Sequence, residues 1–381
     1  MIKKITSFIK RRWIVDTAQC KQKKNSSVTR LLSIVFIFHC SLFLVHCNAQ
    51  DALYAQYYTA PQHLNPAMTG VFQGSARVNA NYREQWTGVF SDIPLRTIHA
   101  GGEYKLPVFG DDYLSFGISG MLDEIGSSTK LQTTKGQLGI SYSKQLDGSR
   151  YRSSSQYLVA GLQFGAAQQK LEFGNLWFDR QYDSVNVAVN SQLPTGELAP
   201  QSNIYSDMNL GLLWYNVFAD NKSFYIGGAI DHISQPKISF FGDAKEVLRR
   251  RYTIHAGGEI PFSDELSILP SLMFTTQGSS MTVSGGGNFR YSNHDWNELA
   301  VRAGLATRFA NSYVVGGGSS VLMDAITVSF ILEKDHFLFG ASYDIHTSSI
   351  ATPTNGRGAF EVSIIYVAPE KKSVSTACPK F

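Results

Sequence analysis

The chain has 381 residues, of which 17% are charged and 12% aromatic, with 33 glycines. This charge content is low for a long soluble protein and typical of a membrane β-barrel, whose outer surface is apolar. The net charge of +4 is misleading, because residues 1–49 hold nine Lys and Arg and one acid. The remaining 25 basic and 29 acidic residues give a net charge of −4, which argues against a basic nucleic-acid-binding face.

Residues 1–49 are predicted to be a secretory signal peptide. Basic residues precede an apolar run from Leu31 to Val45, and Ala49 provides a small residue at the expected cleavage point. A helical anchor is the alternative, but the run is shorter than the ~20 residues that a spanning helix needs. A lipoprotein site at Cys47 is a weaker alternative, because histidine precedes it where a small residue is expected.

Only one cysteine, Cys378, lies outside this leader. A single cysteine excludes an intramolecular disulfide framework and a cysteine-rich metal site. The sequence leaves Cys378 open as a free thiol, an intermolecular partner or an inert residue. No later stretch has the apolar length of a spanning helix, so an exported membrane protein of this kind must cross lipid as a closed barrel.

Apolar and polar residues alternate with the period of a half-exposed strand from Ser75 onward. The same pattern recurs to the end of the chain, and most of its segments are near the ~10 residues of a transmembrane strand. We predict an all-β protein, a transmembrane antiparallel β-barrel of about 14 strands. The predicted strands are 75–86, 96–104, 113–122, 131–146, 156–171, 207–217, 224–233, 252–260, 266–276, 281–291, 298–308, 325–333, 337–345 and 358–367.

The lengths of the connections support an even number of strands, which places both termini on one side. Tight turns on that side are predicted at 218–222, 262–265 and 334–335, and long segments on the other side at 172–206, 234–250 and 309–324. The short connection at 276–280 is an exception. With bacterial topology, the termini are periplasmic and the long loops extracellular. A soluble β-sandwich or solenoid is the alternative, but the sequence has no fixed-period repeat.

The alternation places Arg77, Arg83, Glu361 and Asp231 in the lumen. Such charges either pair and close the interior or line a path for a solute, and the sequence allows both. Trp86 is expected at the aromatic girdle of the membrane interface.

Motifs for catalysis are missing: there is no phosphate-binding loop with lysine, no HExxH and no GxSxG. The histidines are scattered, and no spacing pairs a nucleophile with a base. We therefore predict no enzymatic activity, no catalytic residues, no cofactor and no metal. A membrane-embedded hydrolase remains only as a remote alternative.

Several short segments, in order along the chain, resemble one family. They are "QYYTAPQHLNPAMTG" with Asn65, Pro66, Ala67 and Gly70, "REQWTG" with Arg83 and Trp86 followed by Pro94, "LDEIG" with Asp123 and Gly126, "GASYDIHTS" with Asp344, "GAFEVSIIY" with Gly358 and Glu361, and the terminal "CPKF" from Cys378 to Phe381. On these segments the chain resembles the PorP/SprF family of outer-membrane proteins of the type IX secretion system of Bacteroidetes. It departs from the family pattern in "GAFE", where the residue before Glu361 is often histidine.

The resemblance implies an accessory barrel that supports secretion or surface retention of cargo with C-terminal domains, such as adhesins, including those of gliding motility. It implies as partners other type IX components, the cargo domains and outer-membrane lipid, with no nucleic acid. The predicted domains are a signal peptide (1–49), an N-terminal periplasmic segment (50–74), the outer-membrane barrel (75–367) and a periplasmic tail (368–381). The partner-binding positions that it suggests are Asn65, Pro66, Ala67, Gly70, Arg83, Trp86, Asp123, Gly126, Asp344, Glu361, Cys378 and Phe381. The alternative function is an outer-membrane channel or transporter for small or hydrophobic solutes.

Overall fold

Fourteen antiparallel strands form a closed barrel in the computed structural model of the chain. The structure describes residues 51–86, 95–126, 130–148, 154–172, 178–183, 188–190, 192–193, 202–219, 221–240, 246–293, 299–314, 318–348, 357–369 and 378–381. The predicted signal peptide, Pro94 and most of the predicted tail lie outside these residues. The predicted fold class and strand number are confirmed.

The strands of the barrel are numbered in chain order. They are β1 (Ala76–Gln85), β2 (Leu95–Pro107), β3 (Tyr113–Ile125), β4 (Lys130–Gly148), β5 (Ser155–Glu172), β6 (Tyr205–Ala219), β7 (Lys222–Asp231), β8 (Arg251–Pro261), β9 (Leu266–Gln277), β10 (Ser280–Ser292), β11 (Leu299–Val314), β12 (Gly318–Lys334), β13 (Phe337–His346) and β14 (Arg357–Ala368). Each strand pairs with its neighbours, and β1 pairs with β14 from Ala76–Ala368 to Gln85–Ala359, which closes the barrel. Closure leaves no unpaired strand edge in lipid.

The two ends of the barrel differ. We call the end where β1 begins and β14 ends the terminal end, and the opposite end the loop end. The long predicted segments 172–206 and 234–250 connect strand ends at the loop end, and the described part of the first contains a pair of two-residue strands, Tyr182–Asp183 and Ala188–Val189. The tight turns at 218–222, 262–265 and 334–335 lie at the terminal end.

The predicted long loop at 309–324 is wrong, because most of it belongs to strands β11 and β12. These strands stay paired as far as Val314 and Gly318, and their register shifts between Arg308 and Phe309. A bulge of this kind changes which face each later side chain occupies. The extra residue is Asp324 on β12, between the paired residues Met323 and Ala325, so the period-2 pattern of β12 is broken there although the strand continues, and the sequence suggests a loop.

In the part of the chain that the structure describes, helical structure is confined to single turns. One four-residue helix, α1 (Pro61–Leu64), lies between the 3-10 turns Tyr57–Thr59 and Pro66–Met68, and a third 3-10 turn spans Asp179–Gln181. No helix among the described residues has the length and apolarity to cross a membrane.

The outer wall of the barrel is apolar. Its outward side chains include Val78, Ile118, Leu138, Leu212 and Leu305, all of them more than half exposed. The side chains between them point into the lumen, where most polar residues are buried. A surface of this kind is suited to the hydrocarbon of a membrane.

Replacing Ile118 with arginine tests the lipid-facing assignment. Ile118 lies in the middle of β3 with 61% of its surface exposed, so Ile118→Arg should place a charge in hydrocarbon. We expect a loss of roughly 2–4 kcal/mol in the free energy of unfolding, measured by denaturant titration in liposomes. Phe109, also exposed but in the turn after β2, is the control: Phe109→Arg should change stability little. Equal effects of the two variants would contradict the assignment.

Candidate functional site

The lumen is filled by residues 51–75, which we call the plug. The plug begins at the loop end, where the amide of Asp51 donates to Gln277 Oε1 at 2.9 Å. It ends at the terminal end, where the amide of Ser75 donates to the carbonyl of Ala368 at 3.0 Å. Of the two arrangements that the sequence allowed for the luminal charges, the structure shows a closed interior.

Glycines of the barrel wall make room for the plug. Six neighbouring strands, β2 to β7, each place one inward glycine beneath it: Gly101, Gly117, Gly139, Gly161, Gly211 and Gly227. A Cβ at Gly161 would lie 2.4 Å from the backbone of Pro66 and Ala67, and one at Gly211 would lie 1.9 Å from Asn65 Oδ1. These distances are too short for any side chain, so the plug backbone lies directly against the wall.

Asn65 joins the plug to three strands. Its Oδ1 accepts a hydrogen bond from the amide of Ala67 at 2.8 Å, which caps the 3-10 turn. Its Nδ2 donates to the carbonyls of Leu212 (3.1 Å) and Gly228 (3.2 Å) and lies 2.9 Å from Nε2 of His255. Pro66, which follows, favours the extended backbone that Asn65 adopts.

Asn65→Asp should separate the two roles of this side chain. Aspartate can still accept from Ala67, but it cannot donate to the two wall carbonyls. Burying an unpaired carboxylate against carbonyl oxygens should cost about 3 kcal/mol of unfolding free energy and make the plug cleavable by protease. Denaturant titration and limited proteolysis in detergent measure both effects. Asn203, an exposed residue before β6, supplies the control Asn203→Asp. An Asn65→Asp barrel as stable as this control would contradict the role.

The terminal half of the plug is held by Arg77 and Glu103 on the first two strands. Their side chains form a buried bidentate pair at 2.9 Å. Arg77 also donates to the carbonyls of Met68 and Val71, and Glu103 accepts the amide of Gly70 at 2.7 Å. Both charges are therefore paired with each other and with the backbone of the plug.

Gly70 has a left-handed backbone conformation, with φ +80°. A Cβ there would lie 1.9 Å from Ser115 Oγ. Only glycine meets both conditions at this position.

The first turn of the plug is held by Glu361 on β14. Its carboxylate accepts the amides of Ala55 (2.7 Å) and Gln56 (3.0 Å) and pairs with Arg83 at 3.2 Å. Arg83 also pairs with Asp344 on β13 at 2.7 Å. Glu361 and Asp344 both have 0% of their side chains exposed and share the guanidinium of Arg83, which is the basic side chain that pairs with Glu361.

Asp344 belongs to a larger luminal network. It accepts a bond from Thr327 Oγ1 at 2.6 Å and pairs with Arg308 at 2.9 Å, while Arg308 pairs with Asp324 at 2.8 Å. On the other side of the plug, Asp51 lies 2.6 Å from His232. The contact with His232 ties the first residue of the plug to the wall just after β7.

The last described residues, Cys378–Phe381, lie at the terminal end. The Phe381 ring packs edge-on against Tyr225 at 4.7 Å, and Arg302 donates to the main-chain oxygen of Phe381 at 2.6 Å. Cys378 is a free thiol whose Sγ is 3.9 Å from Tyr215 Oη. Burial lowers the pKa of Lys380 below its ordinary value, and Glu259, 3.6 Å away, opposes that effect.

The predicted site residues fall into groups along the axis of the barrel. The plug contains Asn65, Pro66, Ala67 and Gly70, the wall beside it contains Arg83, Asp344 and Glu361, the loop end contains Trp86, Asp123 and Gly126, and the terminal end contains Cys378 and Phe381. The first seven lie together around the plug. The last five lie at the two ends of the barrel, where a partner could reach them.

The expectation of a lipid-facing girdle position for Trp86 is wrong. Its indole N–H donates to Nε2 of the buried His346 at 3.1 Å, and the residue lines a cavity inside the loop end. Trp86 has a positive φ of 65° directly after β1. The alternation of the strand no longer sets the direction of its side chain there.

Sequence reasoning also missed several luminal residues. Glu103, Arg302, Arg308 and Glu333 all form buried or half-buried ion pairs inside the barrel. The signal was present, because each is a charge at an inward position of an alternating strand. Their partners lie 16 to 43 residues away, on the next strand or the one after it, and the sequence does not give the register that brings each pair together.

A family model described as "Type IX secretion system membrane protein PorP/SprF" matches residues 46–366. A search of the curated proteins found no match.

Among solved structures, the chain is similar to a deltaS2 mutant of the monoaromatic hydrocarbon channel TodX (12% identity, TM-score 0.47, 81% of this chain and 93% of that chain). It is also similar to the toluene transporter TbuX of Ralstonia pickettii (13% identity, TM-score 0.42, 81% of this chain and 92% of that chain). A third similar structure is CdiB from Escherichia coli (11% identity, TM-score 0.43, 76% of this chain and 63% of that chain). At these identities the likeness concerns the fold alone.

Proposed function

We propose a secretion role for this chain, which belongs to the PorP/SprF family of type IX secretion system membrane proteins. The protein is an outer-membrane β-barrel. In our proposal it acts without catalysis and supports the secretion or the surface retention of cargo that carries a type IX C-terminal domain. Adhesins, including those of gliding motility, are the cargo class that we propose. The observation that carries the proposal is the family match over residues 46–366.

The closed lumen supports this role over the alternative of a solute channel. The plug crosses the barrel from Asp51 at the loop end to Ser75 at the terminal end, and the wall glycines bring its backbone into contact. Charged luminal residues such as Arg77 and Arg83 are engaged in buried pairs with carboxylates. A barrel filled in this way offers its two ends as binding surfaces.

The two ends suggest different partners. At the terminal end lie Cys378 and Phe381, which belong to the tail that we propose to be periplasmic, so we assign contact with other secretion components to this end. At the loop end, Trp86 and Asp123 line an open cavity, and we assign contact with cargo to that end. The buried family positions, such as Asn65 and Glu361, act indirectly by holding the plug.

Gene deletion followed by proteomics of the culture medium and the cell surface tests the role. We expect proteins with type IX C-terminal domains to be lost from the surface or to accumulate in the periplasm, and a plasmid copy to restore them. Unchanged export and retention of every such protein would overturn the proposal. The channel alternative requires that purified protein conduct ions in planar bilayers, and we expect no such conductance.

A further inference from the structure

The imidazole ring of His232 lies between two carboxylates at the loop end. His232 directly follows β7, and 1% of its side chain is exposed. Its Nε2 lies 2.6 Å from Oδ2 of Asp51, the first residue of the plug, and its Nδ1 lies 2.9 Å from Oδ1 of Asp207 on β6. The two ring nitrogens therefore face two acids, one on the plug and one on the wall.

Each of these acids also has a second basic partner, which favours its ionised form. Lys135 on β4 lies 2.7 Å from Asp207, and Arg251 on β8 lies 3.4 Å from Asp51. An ionised carboxylate accepts hydrogen bonds and donates none. A neutral imidazole has one N–H and can donate to one acid, whereas the imidazolium ion donates to both. The geometry therefore fits the protonated form of His232.

Other ionisable groups surround the ring on the plug and on four wall strands. Among the described residues they are Asp51 and His63 of the plug, Lys135 on β4, Tyr205 and Asp207 on β6, Asp231 on β7, Arg251 on β8 and the exposed Arg250 before it. Asp231 pairs with Arg251 at 2.9 Å, and Arg250 donates to the carbonyl of Ile233. His63 lies 3.4 Å from Arg251, whose charge disfavours a second positive charge on His63. A tyrosine phenol is uncharged at neutral pH.

The charges inside this cluster balance while His232 is protonated. The three carboxylates of Asp51, Asp207 and Asp231 then face three cations, which are Lys135, Arg251 and the imidazolium. Loss of the proton leaves one negative charge in excess in a largely buried place, and an uncompensated buried charge is costly.

The contact with Asp51 is the one that deprotonation should break. The amide of His232 donates to Asn209 Oδ1 at 3.0 Å, so His232 and Asp207 are both fixed to the same part of the wall. Asp51 instead lies at the start of the plug. A neutral ring that keeps its N–H on Nδ1 for Asp207 turns the lone pair of Nε2 toward the carboxylate of Asp51. The plug residue is the partner that can move away.

We propose that His232 is a pH-sensitive clasp for the start of the plug. The imidazolium binds Asp51 to the wall, and loss of its proton in alkaline medium releases residues 51–53. These three residues line a cavity of about 470 Å³ at the loop end, which widens when they leave. Residues 55–75 stay in the lumen, because Glu361 and Asn65 hold them through contacts that do not involve His232. The clasp does not depend on the proposed secretion role.

The direction of the pH dependence follows from the same contacts. Burial lowers the pKa of His232, but Asp51 and Asp207 outweigh burial, so the pKa lies above its ordinary value. A histidine in an unfolded chain titrates near pH ~6.5. The clasp therefore stabilises the plug fully below that pH and is lost as the pH rises through the raised pKa.

Hydrogen exchange of the full-length barrel in detergent, read by mass spectrometry between about pH 6 and about pH 9, tests the clasp. Rates are divided by those of an unstructured peptide of the same sequence, which removes the intrinsic effect of pH. We expect the corrected rate at residues 51–53 to rise about tenfold over this range, as the loss of one charged hydrogen bond allows, and the rates at 55–75 to stay constant. A corrected rate at 51–53 that does not change with pH would overturn the proposal, and so would an equal rise along the whole plug.

Two histidine variants identify the group that titrates. His232→Gln is neutral at every pH, so residues 51–53 should exchange rapidly throughout the range with no pH dependence. His336 is an exposed histidine in the turn before β13, and His336→Gln should keep the response of the unaltered protein. If His232→Gln keeps the response, or His336→Gln abolishes it, His232 is not the clasp.

The protonation state can also be measured in the unaltered protein, which needs no variant to fold. Nitrogen NMR of histidine-labelled barrel near pH ~6.5 should show an imidazolium whose signal is missing from His232→Gln. In Asp51→Asn, which removes one of the two acids, that imidazolium should lose its proton at a lower pH. A neutral His232 ring at this pH would overturn the proposal, whatever the result of the secretion test.

Discussion

A Gly161→Val barrel should conduct ions, whereas the unaltered barrel should not. The added Cβ would lie 2.4 Å from the backbone of Pro66 and Ala67, and these atoms cannot move aside without displacing the plug. Gly161 pairs with Gly211 on β6, where the plug already lies against the wall. The displaced backbone therefore cannot shift sideways onto β6. We expect the plug to leave the lumen. Single-barrel conductance in planar bilayers, together with protease cleavage of residues 51–75, measures the effect.

Gly136→Val on β4 is the matched control. Gly136 is also a wall glycine of the barrel, but a Cβ there meets no other atom within 4 Å. This variant should remain closed and protease-resistant. A Gly161→Val barrel that folds and stays closed would show that the plug does not need contact with the wall to remain in place.

Arg83→Met should destabilise the barrel more than any other single luminal change that we predict. Loss of the Arg83 guanidinium removes the basic partner of the buried Glu361 and one of the two basic partners of the buried Asp344, which keeps Arg308. Leaving a buried charge uncompensated typically costs about 3–5 kcal/mol, so we expect a loss of that order in the free energy of unfolding. Denaturant titration in liposomes gives the value.

The plug should loosen in the same Arg83→Met variant, because Arg83 pairs with the carboxylate of Glu361 that accepts the amides of Ala55 and Gln56 and so helps to hold it in place. Arg96→Met is the control, since Arg96 is a half-exposed arginine whose pairs with Glu84 and Glu124 are long, at 3.7 and 4.0 Å. Its loss should cost within about 1 kcal/mol. Similar costs for the two variants would mean that the luminal pair contributes no more than a surface pair.

The barrel could be predicted from the sequence because its physical cause is local. A strand between lipid and a polar lumen must alternate residue by residue, and this alternation can be seen in β3 or β14 without knowing their neighbours. The inward placement of Arg77, Arg83 and Asp231 follows from the same alternation and is confirmed by their burial. The failure at 309–324 arose where a bulge shifts the alternation.

The interior could be predicted only in part, because its contacts join residues that are distant in the sequence. The carboxylate of Glu361 meets Ala55, 306 residues away, and Asn65 meets His255, 190 residues away. No local pattern specifies such pairings. Whether residues 51–75 lie under the barrel or inside it depends on wall glycines whose common face appears only once six strands are aligned.

The plug precedes β1 in the chain, and this order bears on how the barrel closes. The seam joins Ala76 to Ala368, so the first and last strands meet only after the rest of the chain has been added, at a large cost in loop entropy. The segment that fills the centre touches both future edges, through the carbonyls of Met68 and Val71 with Arg77 on β1 and through Ala55 with Glu361 on β14. It can therefore act as a template that brings the two edges together. Closure of the barrel and packing of the plug in the lumen then occur in the same folding step.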